Sequence, residues 1–301
     1  MSGSAAESGN SSTSRGEVQE GLAEQPSAGP PAGAPMPGVA LSIGAGVLSV
    51  VGCLVGLLAA GRIYGRETTA LADAATAQDL VGLFVVGPLL IVLAISASRG
   101  ARRAWVCWLG CLAFTAYNYA IYAFSVHFGA LFLVWVSVLG LSLFALIDGL
   151  AALLGRAVFD PVGVRWVGWF LMAVAVLFCL LWLREIVPDL VAGRSSTSAL
   201  DWRVPTSPVH VLDLAFFLPA VFVSGLSLLR RGWLGSATAA GQLVFLALTC
   251  LPIVVTPVVA EARGHTAVWT AVGPVGILFV ATVMVLWRFL RAVPRAAAAR
   301  S

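Results

Sequence analysis

From about residue 39 onward the chain alternates long apolar stretches with short polar breaks, and almost every arginine falls in a break. A bilayer core about 30 Å thick is crossed by a helix of about 20 apolar residues. Eight stretches meet that length, near 39–60, 80–98, 104–125, 130–154, 166–183, 209–229, 234–258 and 267–288. The pattern predicts an all-α polytopic membrane protein, a bundle of about eight transmembrane helices.

Ahead of the first stretch, residues 1–35 are rich in Ser, Gly, Ala, Pro and Glu and hold no aromatic residue. Such a segment buries too little apolar surface to offset chain entropy. The expected organisation is a disordered cytoplasmic tail at 1–35, a transmembrane domain at 36–292 and a short basic cytoplasmic tail at 293–301.

Composition strengthens the membrane reading: 59% of residues are hydrophobic and 11% charged, against about 45–50% and about 25% in soluble domains. The net charge of +4 does not point to nucleic acid, because the arginines are spread over short loops and not gathered on one face. The five cysteines (Cys53, Cys107, Cys111, Cys179, Cys250) lie scattered within apolar stretches and read as packing residues, not as a disulfide framework.

Charge also orients the chain. With both termini in the cytoplasm, twelve arginines fall inside and six outside, as the positive-inside rule asks. Trp105, Trp108, Trp166, Trp169, Trp233 and Trp287 then mark the inner ends, and Trp182 and Trp269 the outer ends, of two interfacial belts. The expected location is the cell membrane.

The two halves share an order of events that suggests a four-plus-four parallel internal repeat. Arg66-Glu67 and Arg184-Glu185 follow the first and fifth stretches. Asp79-Leu80 and Asp213-Leu214 open the second and sixth, which carry Pro88 and Pro219 and exit through arginines. His127 and His265 precede the fourth and eighth.

Polar residues inside a bilayer are costly and usually face the bundle interior. In the third stretch Cys111, Thr115, Asn118, Tyr119 and Tyr122 share a helical face, while Tyr117 points away from it. Helix packing and a ligand-lining face both account for that stripe. At the start of the sixth, Ser207 is a natural N-cap before Pro208. His210 and Asp213 follow, either as a pH-sensitive pair or as a solvated His beside a helix-dipole Asp. The seventh carries Thr238, Gln242, Thr249 and Thr256, with Pro252 and Pro257 among them. Asp148 is expected to pair with Arg156 or an arginine of the RGARR loop. Gly52/Gly56 and Gly61/Gly65 match the spacing that lets helices approach closely. The segment 184–208 reads as a flexible outer loop.

No nucleotide-binding, zinc-protease or serine-hydrolase motif is present, and the three histidines are dispersed. Neither a catalytic set, a metal site nor a cofactor is expected. The passages QDLVGLFVVGPLL, AYNYAIYAFSVHFGALFLVWVSVLGLSLFAL and SPVHVLDLAFFLPAVFVSGLSLLRRG resemble a family of bacterial multi-pass membrane proteins of unknown function. The resemblance covers about residues 60–290; it implies a membrane helical bundle and draws attention to Gln78, Asp79, Tyr119, Tyr122, His210 and Asp213, without implying an activity. Asp79, Asn118, Tyr119, Tyr122, His210 and Asp213 all fall in the outer half, which makes them the candidate lining of a pocket open to the outside. The partners expected are the lipid bilayer and a small-molecule or ion ligand. A transporter or ligand sensor is one reading. A non-catalytic assembly or scaffold component is a second, and a lipid-modifying enzyme using His210 with Asp213 is a third.

Overall fold

The computed structural model describes residues 33–158 and 163–293; the two tails of the expected organisation lie outside these, apart from a few residues at their inner edges. Eight helices are long and apolar enough to cross a membrane: α1 Met36–Leu58, α2 Thr69–Ser98, α3 Arg102–Ser125, α4 Phe132–Ala151, α5 Arg165–Val191, α6 Pro208–Leu229, α7 Trp233–Ala262 and α8 Val272–Ala292. No strand occurs among the described residues. Large apolar side chains such as Leu58, Phe124 and Ile277 stand more than 70% exposed around the bundle. In water so broad an apolar surface would be a liability, whereas lipid solvates it. The chain is a multi-pass integral membrane protein.

Without a hydrophobic force between helices, close packing depends on small side chains and hydrogen bonds. The buried face of α1 is built this way, from Gly38, Ser42, Ala45, Gly46, Ser49, Gly52 and Gly56. It receives Trp108 Nε1–H on Ser42 Oγ at 3.0 Å and Tyr119 O–H on Ser49 Oγ at 2.9 Å. Gly61 and Gly65 are not part of that face: they lie beyond α1, and a Cβ on Gly61 would meet nothing within 4 Å. Asp148 also departs from expectation. It accepts the Gly38 N–H at 2.8 Å, in the first turn of α1, where unpaired amides and the helix dipole favour an acid over any arginine farther off.

α3 is the most enclosed helix and α8 the least. α3 touches α2, α4 and α7 and meets the start of α6. This is why Trp105 and Trp108 are core residues and not members of a belt; Trp166, Trp169, Trp269 and Trp287 remain exposed.

The halves recur in register. α2 and α6 each contain a π-helical turn, Gly82–Val86 and Asp213–Phe217, followed by α-helix over Gly87–Ser98 and Leu218–Leu229. The next helices start at Arg102 and Trp233, after turns with positive φ at Gly100 and Arg231. Each feature returns 131 residues later. Pro88 and Pro219 obey the same spacing, and each sits just past its π turn. A proline has no N–H and crowds the carbonyl four residues back; the wider turn, with Gly87 N–H on Gly82 O and Leu218 N–H on Asp213 O, absorbs it.

The halves meet where α3 crosses α7. A Cβ on Gly110 would lie 2.6 Å from Gly241 Cα, so only glycine admits the approach. Phe114 and Phe245 meet edge to face at 5.9 Å one turn on. Both contacts join residues 131 apart, which marks the crossing as the axis relating the halves. The register makes His210, not Asp213, the counterpart of Asp79. The symmetry fails at the last helix of each half: α4 packs against α1, whereas α8 rests chiefly on α7.

Candidate functional site

At the bundle end that carries His127, His210 and His265, a cavity of about 330 Å³ opens between α2, α3, α5, α6 and α7, with the short helix Thr197–Trp202 over it. Its volume lies in the range of small-molecule sites, about 300–1,000 Å³. Five pairs of lining residues are 131 apart: Leu71 with Trp202, Gln78 with Val209, Asn118 with Thr249, Ile121 with Pro252 and Tyr122 with Ile253. The cavity therefore straddles the axis between the halves. Its two sides differ chemically, because the first half supplies Gln78, Asn118 and Tyr122 where the second supplies Val209, Thr249 and Ile253.

Of the six candidates, Asn118, Tyr122 and His210 line the cavity and Asp79, Tyr119 and Asp213 stand behind its wall. Because α2 begins at Thr69 and not near residue 80, Asp79 lies ten residues down the helix, about 15 Å from its start. Tyr64 O–H donates to Asp79 Oδ2 at 2.7 Å; Tyr122 O–H is shared between Asp79 Oδ1 at 3.0 Å and the Ala75 carbonyl at 2.9 Å. Burial, and next the Asp79 carboxylate, push the Tyr64 phenol above its ordinary range, so Tyr64 remains a donor. Tyr119 turns instead toward α1 and stacks on Tyr122 at 5.7 Å.

Asp213 is held in the same manner. Tyr117 O–H reaches Oδ1 at 2.8 Å and Trp182 Nε1–H reaches Oδ2 at 2.8 Å. Tyr117 thus belongs to the site, contrary to the expectation that it points away; with α2, α4, α6 and α7 all touching α3, both of its faces are interior. Nor do His210 and Asp213 form a hydrogen-bonded pair. The imidazole lies 4.6 Å from the Trp182 ring and its Nε2 is 3.8 Å from Glu185 Oε2. The Ser207 cap forms as the sequence predicts, accepting the His210 N–H.

Asn118 and Gln78 present side-chain amides to the cavity, and neither amide hydrogen-bonds to another described residue; Gln78 is only 7% exposed. Their polar atoms therefore depend on water or a ligand in the cavity for hydrogen bonds. Thr249 and Thr256 are satisfied by carbonyls of their own helix, those of Phe245 and Pro252, at 2.9 and 2.7 Å. The segment expected to be a flexible outer loop is instead structured: α5 runs on to Val191, and Asp189 accepts from Thr197 N–H at 3.0 Å and from Arg194 at 3.0 Å, holding the short helix in place.

Two clusters of acids and bases surround the cavity end. His127 lies 2.9 Å from Glu67, while Asp73 accepts from Arg263 at 3.1 Å and from His265 at 2.8 Å. They tie the α3–α4 and α7–α8 connections to the start of α2. Among the described residues no three His, Cys, Asp or Glu side chains are grouped as a metal site requires.

Sequence reasoning missed Tyr64, Tyr117 and Trp182. An aromatic residue near a helix end carries the same signature whether it reaches lipid headgroups or a buried carboxyl on another helix. No family model, curated protein or solved structure matches this chain.

Proposed function

We propose that this protein is a transporter that binds a small organic molecule in the cavity on its repeat axis, with the histidine-bearing end facing the outside of the cell. The observation that carries the reading is the placement of a cavity with unpartnered amides between two halves related by a constant offset. Binding sites at the interface of parallel repeats, beside helices interrupted at corresponding places, suit a mechanism in which the halves rock about the site. The π turns of α2 and α6 are such interruptions. Orientation is supported by arginine: nine of the fifteen described arginines lie at the opposite end. A lipid-modifying reaction through His210 and Asp213 has less support, since both Asp213 oxygens are occupied by aromatic donors.

The test is side-specific labelling. Single cysteines placed at Asn118 and Ser196, in a background with the native cysteines replaced, are exposed to a membrane-impermeant maleimide in intact cells. The Ser196→Cys site reports orientation and is expected to react fully. Asn118→Cys is expected to react as well, more slowly. Reaction at Ser196 with none at Asn118 would overturn the pocket and favour a packing role for the α3 stripe.

A further inference from the structure

Beneath the floor of the cavity described above lies a second space. Tyr117 also lines this space of about 510 Å³, which runs between α3, α4, α6 and α7 toward the arginine-rich end. It is a groove lined by residues such as Ala113, Ala116, Leu146 and Ala220 and open sideways to lipid, where Leu143 and Phe216 are exposed; its polar side chains besides Tyr117 are Thr238 and Gln242. The partition between the two is aromatic. Phe217 stacks on Phe245 at 3.8 Å, and Phe245 meets Tyr117 edge to face at 5.1 Å. Asp213 anchors the Tyr117 hydroxyl, so this one hydrogen bond pins the wall between a polar-headed space and an apolar one.

The lining of the upper space is largely aromatic, with one acid and one histidine. Aromatic rings from Phe114, Tyr117, Tyr122, Trp182 and Trp202 surround it, Asp201 stands at its rim, and no arginine lines it. Asp79 and Asp213 lie directly behind Tyr122, Tyr117 and Trp182. A phenol or indole that donates to a carboxyl oxygen gains some electron density on its ring, which strengthens the ring's attraction for a cation. The Gln78 amide, turned into the same space with no hydrogen-bond partner among the described residues, adds a polar group that can meet a ligand there.

We propose that the two spaces together hold one amphiphilic organic cation, with its ammonium-type head among Tyr122, Trp182, Trp202 and Asp201 and its alkyl tail in the apolar space beyond Tyr117. This rests on the reading of the upper cavity as a ligand site and adds the class of ligand. The tail passes the aromatic wall when Tyr117 releases Asp213.

The experiment is equilibrium binding of radiolabelled alkyltrimethylammonium ions, from tetramethyl to octyl, to the full chain in zwitterionic nanodiscs, with empty discs subtracted. Saturable binding is expected to tighten with chain length, approaching fourfold per methylene as the tail is buried. Asp201→Asn is expected to weaken every member several-fold. Ala113→Trp, which fills the apolar space from α3, is expected to flatten the chain-length dependence and leave tetramethylammonium unchanged. Ala220→Phe fills the same space from α6 and serves should the first variant not fold. An absence of saturable binding, equal binding of octylsulfonate, or an unchanged chain-length slope in the filled variants would overturn the proposal. If Asn118→Cys still reacts from outside while the cations do not bind, the pocket stands and this assignment falls.

Discussion

Asp79 illustrates how a single acid is accommodated at depth in this bundle. Its two oxygens are met by two phenols, and among the described residues it has no ion pair. Removing one donor leaves an acceptor without its partner, at a cost of about 1–3 kcal/mol. Tyr64→Phe is therefore expected to lower thermal stability, with a smaller effect in an Asp79→Asn background; equal effects in both would show that Tyr64 acts by packing alone. Tyr64 also sets a pH dependence. Its folded phenol is raised above the unfolded value by burial and by Asp79. Stability is therefore unaffected by it below about pH 10 and falls as the unfolded phenol ionises above that. Thermal unfolding of Tyr64→Phe between pH 8 and 11 is expected to show a shallower decline than the parent. Asn118, Tyr122 and His210, which line the cavity, stand out in the sequence as polar groups in apolar runs. Tyr64 and Trp182 were not legible there, since their partners are fixed by tertiary packing across 15 and 31 residues.

Among the elements, the crossing of α3 and α7 is the least tolerant of change. A side chain on Gly110 would run into the Gly241 backbone, whereas one on Gly140 would meet nothing within 4 Å. Overpacking a tight contact costs about 1–3 kcal/mol, more where backbone must move. Gly110→Leu is expected to reduce folded, monodisperse protein sharply in size-exclusion chromatography, while Gly140→Leu is expected to behave as the parent. The reverse order would contradict the crossing. Eight membrane-length helices were legible from hydropathy because lipid imposes a length and forbids unpaired backbone. The start of α2 and the end of α5 were read less well: the first turns of α2 are rich in Ala and Thr, and α5 carries Glu185 and Asp189 past the apolar stretch. The repeat was visible as a proline in α2 and α6. Its register was misread because Asp79-Leu80 and Asp213-Leu214 look alike, although the π turns and the glycine crossing place them three positions out of step.

At the scale of the molecule, the first half closes on itself through α1 and α4, while α8 leaves the second half open on one side. Two unequally closed halves, joined at a crossing with a cavity above it, suit a mechanism in which the halves rock and expose the cavity to each face in turn. Side-specific accessibility of Asn118 tests that claim most directly. In inside-out vesicles carrying Asn118→Cys, the account predicts slow reaction with an impermeant maleimide from the arginine-rich face, in addition to reaction from the histidine-bearing face in intact cells. Reaction confined to the histidine-bearing face at every temperature and with every ligand tried would contradict transport and leave a one-sided binding pocket.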